Sequence, residues 1–231
     1  MARSTTRGRT GRLPRAKRNL ATPAESPLAL ALRRICADLE ASRARYALVG
    51  GLAVSARAEP RLTRDVDVAV AVADDAEAER LIFALQARGY VVRSSVEQTR
   101  NRRLATVRLI PPVAGGTVVD LLFSTCGIEP EIVDQAERLS ILPGLVVPVA
   151  RVEHLIVMKL LSRDDRTRPQ DLDDIRALLV VARARERQRV PAAIALLTKR
   201  KFSRRRNLTA LWNAVLRPTV RERGRTKKRA R

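Results

Sequence analysis

Residues 46–72, with the sequence YALVGGLAVSARAEPRLTRDVDVAVAV, set the architecture of the first half of the chain. The segment begins with a short apolar strand, 46–49, that ends at Gly50-Gly51, where a helix can start. It closes with a strand of period two that carries Asp65 and Asp67 on one side and valines on the other. This order predicts a strand, a glycine turn and a helix, followed by a second strand with two carboxylates at its start.

Helix and strand patterns alternate on both sides of this segment. Ser26-Pro27 supplies a helix cap and a first-turn proline, after which apolar residues recur on one helical face. This helix is expected at 28–39. Further helices are expected at 74–89, 152–161, 172–181 and 192–197, and further strands at 90–93, 104–110 and 117–123. After Pro143-Gly144 and Pro148 the patterns are helical, with no further strong strand. The sequence therefore predicts an α+β fold, with a mixed αβ domain followed by a helical domain and a boundary near residue 150.

Most of the net charge of +22 comes from the two ends of the chain. Residues 1–19 hold seven basic side chains and no acidic one, and residues 198–231 hold fourteen basic side chains and one acidic one. We therefore expect a basic flexible tail at 1–24, a first domain at 25–150, a helical domain at 151–216 and a second basic tail at 217–231. Such tails suit an anionic partner, and generic solvated termini are the alternative.

Composition excludes several classes of protein. A hydrophobic content of 45% provides for a packed core, which excludes a disordered chain. Cys36 and Cys126 lie far apart in apolar surroundings, which predicts buried free thiols in a reducing compartment. No apolar run is long enough to cross a bilayer, and the chain lacks a signal-peptide pattern. We expect a cytoplasmic protein without membrane association, with a transit peptide as the alternative interpretation of the Arg-rich start.

The Gly50-Gly51 turn is a candidate phosphate-binding element. Glycines at the start of a helix let a phosphate approach the free backbone N–H groups there. Arg57, on the following helix, is positioned to add a cation to the same phosphates. Tight turn geometry alone also explains the two glycines, and Arg57 is equally compatible with a solvated helix surface.

Three aspartates are candidate metal ligands. Asp65 and Asp67 are two apart in a strand, so both side chains leave the same face and can hold one or two divalent cations. Asp120 lies in an otherwise apolar strand, where a buried carboxylate without a partner is costly. A role as third ligand to the same ions meets that requirement. For each aspartate alone, a place on the open face or rim of a sheet is the alternative.

Taken together, these residues resemble the signature of the polymerase-β-type nucleotidyltransferase superfamily and, within it, the AbiEii-type toxins. The matching residues, in chain order, are Gly50, Gly51, Arg61, Thr63, Asp65, Asp67 and Asp120. The resemblance implies that the glycine turn, with Thr63 nearby, binds the phosphates of a nucleotide. It also implies that the three aspartates bind two Mg²⁺ ions. The fold it implies is a polymerase-β-like domain with a mixed sheet, followed by a helical C-terminal domain.

A second motif lies in the predicted helices beyond residue 150. Lys159 falls in an apolar helix, and Arg168-Pro169-Gln170-Asp171 with Asp174 resembles the R-P-x-D-x-x-D segment of the same family. The resemblance implies that Lys159 faces the nucleotide. Asp171 and Asp174 share a helix face, so one of them can orient Lys159 or act on an acceptor hydroxyl. Capping of the helix N-terminus is the alternative for both.

The function implied is that of a Mg²⁺-dependent enzyme, which moves a nucleoside monophosphate from an NTP to an acceptor hydroxyl and releases pyrophosphate. Asp65 and Asp67 would hold both ions, Asp120 the ion that activates the acceptor, and Lys159 would offset triphosphate charge. The basic tails favour an RNA acceptor, with the 3′ end of tRNA as the expected one. The resemblance further implies a toxin of a toxin-antitoxin or abortive-infection system, with an antitoxin as a candidate partner.

Two alternatives remain open at this stage. The first is a non-catalytic nucleic-acid-binding protein that keeps the same fold. The second is an enzyme that transfers the nucleotide to a protein hydroxyl or to a small molecule such as an aminoglycoside.

Overall fold

The computed structural model describes residues 25–98 and 102–217, and the two predicted basic tails lie outside these residues apart from Arg217. Within the described residues seven strands form one sheet. They are β1 (Arg45–Val49), β2 (Asp65–Ala71), β3 (Val91–Glu97), β4 (Leu104–Ile110), β5 (Val118–Leu122), β6 (Glu137–Leu142) and β7 (Leu145–Val149). Their order across the sheet is β3-β4-β5-β2-β1-β7-β6. Because β1 and β2 are antiparallel and β2 and β5 are parallel, the sheet is mixed, which confirms the predicted fold class.

The same residues contain eight helices. They are α1 (Pro27–Ala41), α2 (Gly50–Arg57), α3 (Asp75–Ala87), α4 (Glu129–Asp134), α5 (Val152–Ser162), α6 (Gln170–Val181), α7 (Ala184–Lys199) and α8 (Leu208–Leu216). The Ser26 side chain accepts a hydrogen bond from the Ala29 N–H and so caps α1, as its place before Pro27 predicts. In the described part of the chain, no helix is long and apolar enough to span a bilayer.

The last two strands are not predicted by the sequence patterns. β6 and β7 form an antiparallel hairpin around Pro143-Gly144, and β7 then pairs in parallel with β1. Pro148 inside β7 argues against a strand, because proline cannot donate to the ladder, and β6 shows no regular apolar alternation. The sequence patterns therefore missed this hairpin. The sheet continues to Val149, and the helical segment starts at Val152.

Helix α5 connects the helical segment to the sheet. It contacts α2 on one side and α6, α7 and α8 on others, and its residues Leu155, Ile156 and Leu160 are fully buried. Apolar side chains from the sheet and from the C-terminal helices form one continuous core. Cys36 and Cys126 are buried free thiols within that core, as predicted.

Arg57 fixes the end of α2 against the β6–β7 hairpin. Its guanidinium donates to the Glu137 carboxylate at 2.6 Å and to the carbonyls of Val149 and Ala150 at 3.0 and 3.1 Å. The bond from Arg57 lowers the pKa of Glu137 below its usual value. The guanidinium is directed at the hairpin, so the expected contact between Arg57 and nucleotide phosphates stays a prediction.

We predict that Arg57→Leu lowers the free energy of unfolding by about 2–3 kcal/mol, since two carbonyls and a carboxylate lose a charged donor. Urea unfolding measures this change. Arg45→Leu is the matched control, because it removes an exposed strand arginine paired with Asp134 and should cost less than about 1 kcal/mol. Unchanged stability together with weaker nucleotide binding in Arg57→Leu would contradict this structural role and support a role in nucleotide binding.

Candidate active site

Strands β2 and β5 bring the three predicted metal ligands together. Their parallel register sets Asp67 directly beside Asp120, and Asp65 lies two residues before Asp67 on the same face. One carboxylate oxygen from each residue lies within 4.8 Å of the other two. Carboxylate oxygens are hard ligands of the kind that Mg²⁺ and similar cations prefer. The geometry therefore fits a site for divalent metal.

The electrostatics of the cluster point the same way. Burial, followed by the charges of Asp65 and Asp120, raises the pKa of Asp67 to about 6. Two nearby groups oppose this shift, the charge of Lys159 and a hydrogen bond donated by the Gly51 N–H. Three carboxylates held this close repel one another, and a cation among them removes the repulsion.

The glycine turn packs directly against this cluster. Gly50 has a φ of 64°, in the left-handed region that favours glycine. A Cβ at Gly50 would lie 1.9 Å from Asp67 Oδ2, and one at Gly51 would lie 2.7 Å from Thr63 Oγ1. The tight-turn interpretation is therefore correct as far as packing is concerned, and it places the start of α2 against the carboxylates. The Thr63 hydroxyl lies 3.4 Å from Asp65 Oδ1, so this side chain also belongs to the cluster's edge.

Lys159 lies at the centre of a buried ion-pair network between α5 and α6. Its Nζ is 2.9 Å from Asp171 Oδ1 and 2.8 Å from Asp174 Oδ2. The Ser162 hydroxyl donates to the other oxygen of Asp171 at 2.9 Å. Because Lys159 also lines the cavity described below, the network holds its ammonium group at the wall of that cavity.

Asp171 and Asp174 are buried behind Lys159. Asp171 is fully buried and Asp174 is 3% exposed, and neither lines the cavity. Arg168 pairs with Asp171 at 3.2 Å, and Arg61 pairs with Asp174 at 2.6 Å. The Asp171 carboxylate is enclosed by Lys159, Ser162 and Arg168, which favours the orientation of Lys159 over direct action on an acceptor hydroxyl, the other expected role.

One cavity of about 560 Å³ unites these elements, a volume typical of small-ligand sites. The glycine turn, Thr63, the three aspartates and Lys159 line it together. Five further basic side chains line the same cavity: Arg61, Arg64, Arg108, Arg168 and Arg204. Leu62, at 97% exposure, and the half-buried Met158 add apolar surface. The arrangement can therefore bind an anionic ligand with an apolar portion close to a metal site.

Arg108 is a site residue that the sequence interpretation missed. It lies opposite Asp120 in the β4–β5 pair and donates from Nε to Oδ1 at 2.9 Å and from Nη2 to Oδ2 at 2.7 Å. These bonds raise the pKa of the Arg108 guanidinium, which stays charged. A partial signal was present, since the predicted hairpin places Arg108 within one residue of the position opposite Asp120.

Comparison with solved structures shows that the fold is that of a polymerase-β-type nucleotidyltransferase. The antibiotic-resistance factor ANT(2″)-Ia in complex with adenylyl-2″-tobramycin is similar with a TM-score of 0.51 and 16% identity, over 76% of this chain and 99% of that one. The solution structure of ANT(2″)-Ia has a TM-score of 0.50 and 16% identity, and the similarity covers 74% of this chain and 91% of that one. An antigenic nucleotidyltransferase-like protein from Paracoccidioides brasiliensis has a TM-score of 0.47 and 21% identity, and the similarity covers 81% of this chain and 92% of that one. A search of curated proteins finds no match.

Residues 31–229 match the family described as nucleotidyl transferase AbiEii toxin, type IV TA system. The chain belongs to this family, and it is a nucleotidyltransferase. Membership confirms the predicted family and enzyme class, and it implies an NTP substrate, a divalent metal and a toxin-antitoxin context.

We predict that Asp67→Asn stabilises the metal-free protein increasingly as the pH rises. The folded-state pKa of about 6 lies above the usual 3.8, so Asp67 contributes stability at low pH that is lost as the pH rises through 6. An uncharged Asn does not suffer this loss, so the free energy of unfolding of the variant should exceed that of the unmutated protein by about 1–2 kcal/mol near pH 7. Urea unfolding in a chelator at several pH values measures it, and a difference independent of pH would contradict the repulsion described above.

We predict that Lys159→Met lowers the free energy of unfolding by about 3–5 kcal/mol, because it leaves two buried carboxylates without their shared ammonium group. Adding Asp171→Asn should recover part of this loss, so the two changes are not additive. Equilibrium urea unfolding of the single and double variants tests the coupling. Additive losses would mean that Lys159 and Asp171 do not depend on one another.

Proposed function

We propose that this nucleotidyltransferase uses Mg²⁺ to transfer a nucleoside monophosphate from an NTP to a hydroxyl of an RNA, with the 3′ end of tRNA as the expected acceptor. The observation that carries the proposal is the cluster of three aspartates beside the glycine turn, in a cavity with a basic lining. We further propose that the enzyme acts in the cytoplasm as the toxin of a toxin-antitoxin system, with an antitoxin protein as its partner.

The chain's own residues have distinct tasks in this proposal. Asp65 and Asp67 would hold two Mg²⁺ ions, and Asp120 would hold one of them. When bound, the ions supply charge neutralisation at the triphosphate and lower the pKa of the acceptor hydroxyl. Lys159 adds its positive charge from the cavity wall, and the first N–H groups of α2 face the phosphates.

The transfer exchanges one oxygen bonded to the α-phosphorus for another. The acceptor oxygen forms a bond to the α-phosphorus, and the bond from that phosphorus to the bridging oxygen of the β-phosphate breaks. Pyrophosphate leaves with the electron pair of the broken bond. The acceptor proton passes to a carboxylate of the cluster, with Asp120 as the proposed base, or through it to solvent.

The lining of the cavity supports an anionic acceptor. Six basic side chains face three acidic ones, and bound divalent cations would offset the acidic charge. Arg64 and Arg204 are exposed, so both are accessible to a ligand larger than the cavity. The basic segments 1–19 and 217–231 add further positive charge to the chain. A polyanion such as RNA gains affinity from each phosphate that these groups neutralise.

An aminoglycoside acceptor is less compatible with the same lining. The structure of ANT(2″)-Ia contains adenylyl-2″-tobramycin, but at 16% identity the similarity extends to the fold alone. An aminoglycoside carries several ammonium groups, and the basic cavity of this chain would repel them.

Incubation of the purified chain with each α-labelled NTP, Mg²⁺ and total RNA tests the proposed transfer. Label on a band of tRNA size is expected for at least one NTP, and Asp65→Asn is the inactive control. Label on protein or on an added aminoglycoside, with none on RNA, would contradict the proposed acceptor. An absence of label on every acceptor would contradict the transfer itself.

We predict that deletion of residues 1–19 and 217–231 weakens RNA binding and flattens the dependence of log Kd on log salt concentration, because fewer counterions are released. Filter binding at several salt concentrations gives both quantities. Arg64→Ala in the full chain is the comparison, since one lost phosphate contact should reduce the slope by about one. An unchanged slope after the deletion would show that neither tail contacts the RNA.

A further inference from the structure

The bidentate contact between Arg108 and Asp120 occupies one of the three candidate metal ligands. Both oxygens of Asp120 accept a hydrogen bond from the same guanidinium, at 2.9 and 2.7 Å. The Asp120 side chain is 10% exposed, whereas that of Arg108 is 47% exposed. The protein therefore supplies a cation of its own at the position where the metal site would need one.

The charges of the cluster favour this contact only while metal is absent. Three carboxylates without metal carry three negative charges, and the guanidinium offsets one of them. Two divalent cations would instead turn the cluster positive and repel the guanidinium. A carboxylate held in an arginine fork also presents both oxygens to the fork, which competes with a metal for the same lone pairs.

Arg108 has an open route away from Asp120. Its side chain is half-exposed and lines the cavity, so its release would not bury an unpaired charge. Movement into the cavity would place the guanidinium beside the ligand that the other basic side chains face. An anionic ligand in the cavity would then replace Asp120 as the negatively charged partner of Arg108.

We propose that Arg108 is a positioning residue that holds Asp120 in the metal-free protein, competes with divalent metal for its carboxylate, and turns toward the anionic substrate when metal binds. This inference rests on the metal-dependent transfer proposed above. It predicts that metal and nucleotide bind cooperatively, since each favours the same movement of Arg108.

The test is the melting temperature of the full chain as a function of Mg²⁺ concentration, without nucleotide and at constant ionic strength. Arg108→Gln should shift the midpoint of this dependence about three- to tenfold toward lower Mg²⁺. Arg108→Lys keeps the charge without the fork, so its midpoint should lie between those of the unmutated chain and Arg108→Gln. Arg64→Gln is the matched control, an exposed cavity arginine whose loss should change the midpoint less than about twofold.

A second arm separates direct competition from general charge effects. In an Asp120→Asn background, Arg108→Gln should no longer shift the midpoint, because the contested carboxylate is absent. An equal shift in that background, or an unchanged or higher midpoint in Arg108→Gln alone, overturns the inference and leaves the proposed transfer intact. No response of the unmutated chain to Mg²⁺ overturns both.

Discussion

The parallel pairing of β2 with β5 forces two carboxylates, Asp67 and Asp120, into adjacent positions on one face of the sheet. With Asp65 beside them, they form a cluster whose mutual repulsion must be offset by surrounding groups. The structure supplies such groups from several elements. A backbone N–H at the start of α2 and the ammonium of Lys159 act on Asp67, and the guanidinium of Arg108 holds Asp120. A divalent cation bound by the three carboxylates would offset the rest of their negative charge.

The helical segment contributes to the same site through charge. Lys159 on α5 is held by two buried carboxylates of α6, and Arg61 extends this network to the loop before β2. Buried ion pairs add little stability compared with apolar packing, but breaking one is costly, so such networks fix geometry. Here the network fixes where the ammonium stands relative to the carboxylate cluster. The cavity is thus built jointly by the sheet and by the helices that follow it in the chain.

The sequence predicts the parts of this site that depend on local pattern. The glycine turn and the Asp65-Val66-Asp67 alternation can be predicted because strand period and glycine conformation depend on only a few neighbouring residues. Contacts between residues distant in sequence cannot be predicted in this way. The helix pattern around Arg57 cannot show that the β6–β7 hairpin will accept its hydrogen bonds, and the spacing of Asp171 cannot show that α5 will enclose it. Arg108 is an intermediate case, since the predicted hairpin places it within one residue of the position opposite Asp120 but does not fix the register.

The central claim is that Asp65, Asp67 and Asp120 form one metal site that serves nucleotide binding. Counting bound Mn²⁺ by electron paramagnetic resonance, with a non-hydrolysable NTP analogue present, tests it most directly. The account predicts two ions per chain, and loss of at least one in Asp67→Asn with a much weaker affinity for the analogue. Equal numbers of bound ions and equal affinity in the unmutated chain and in Asp67→Asn would contradict it.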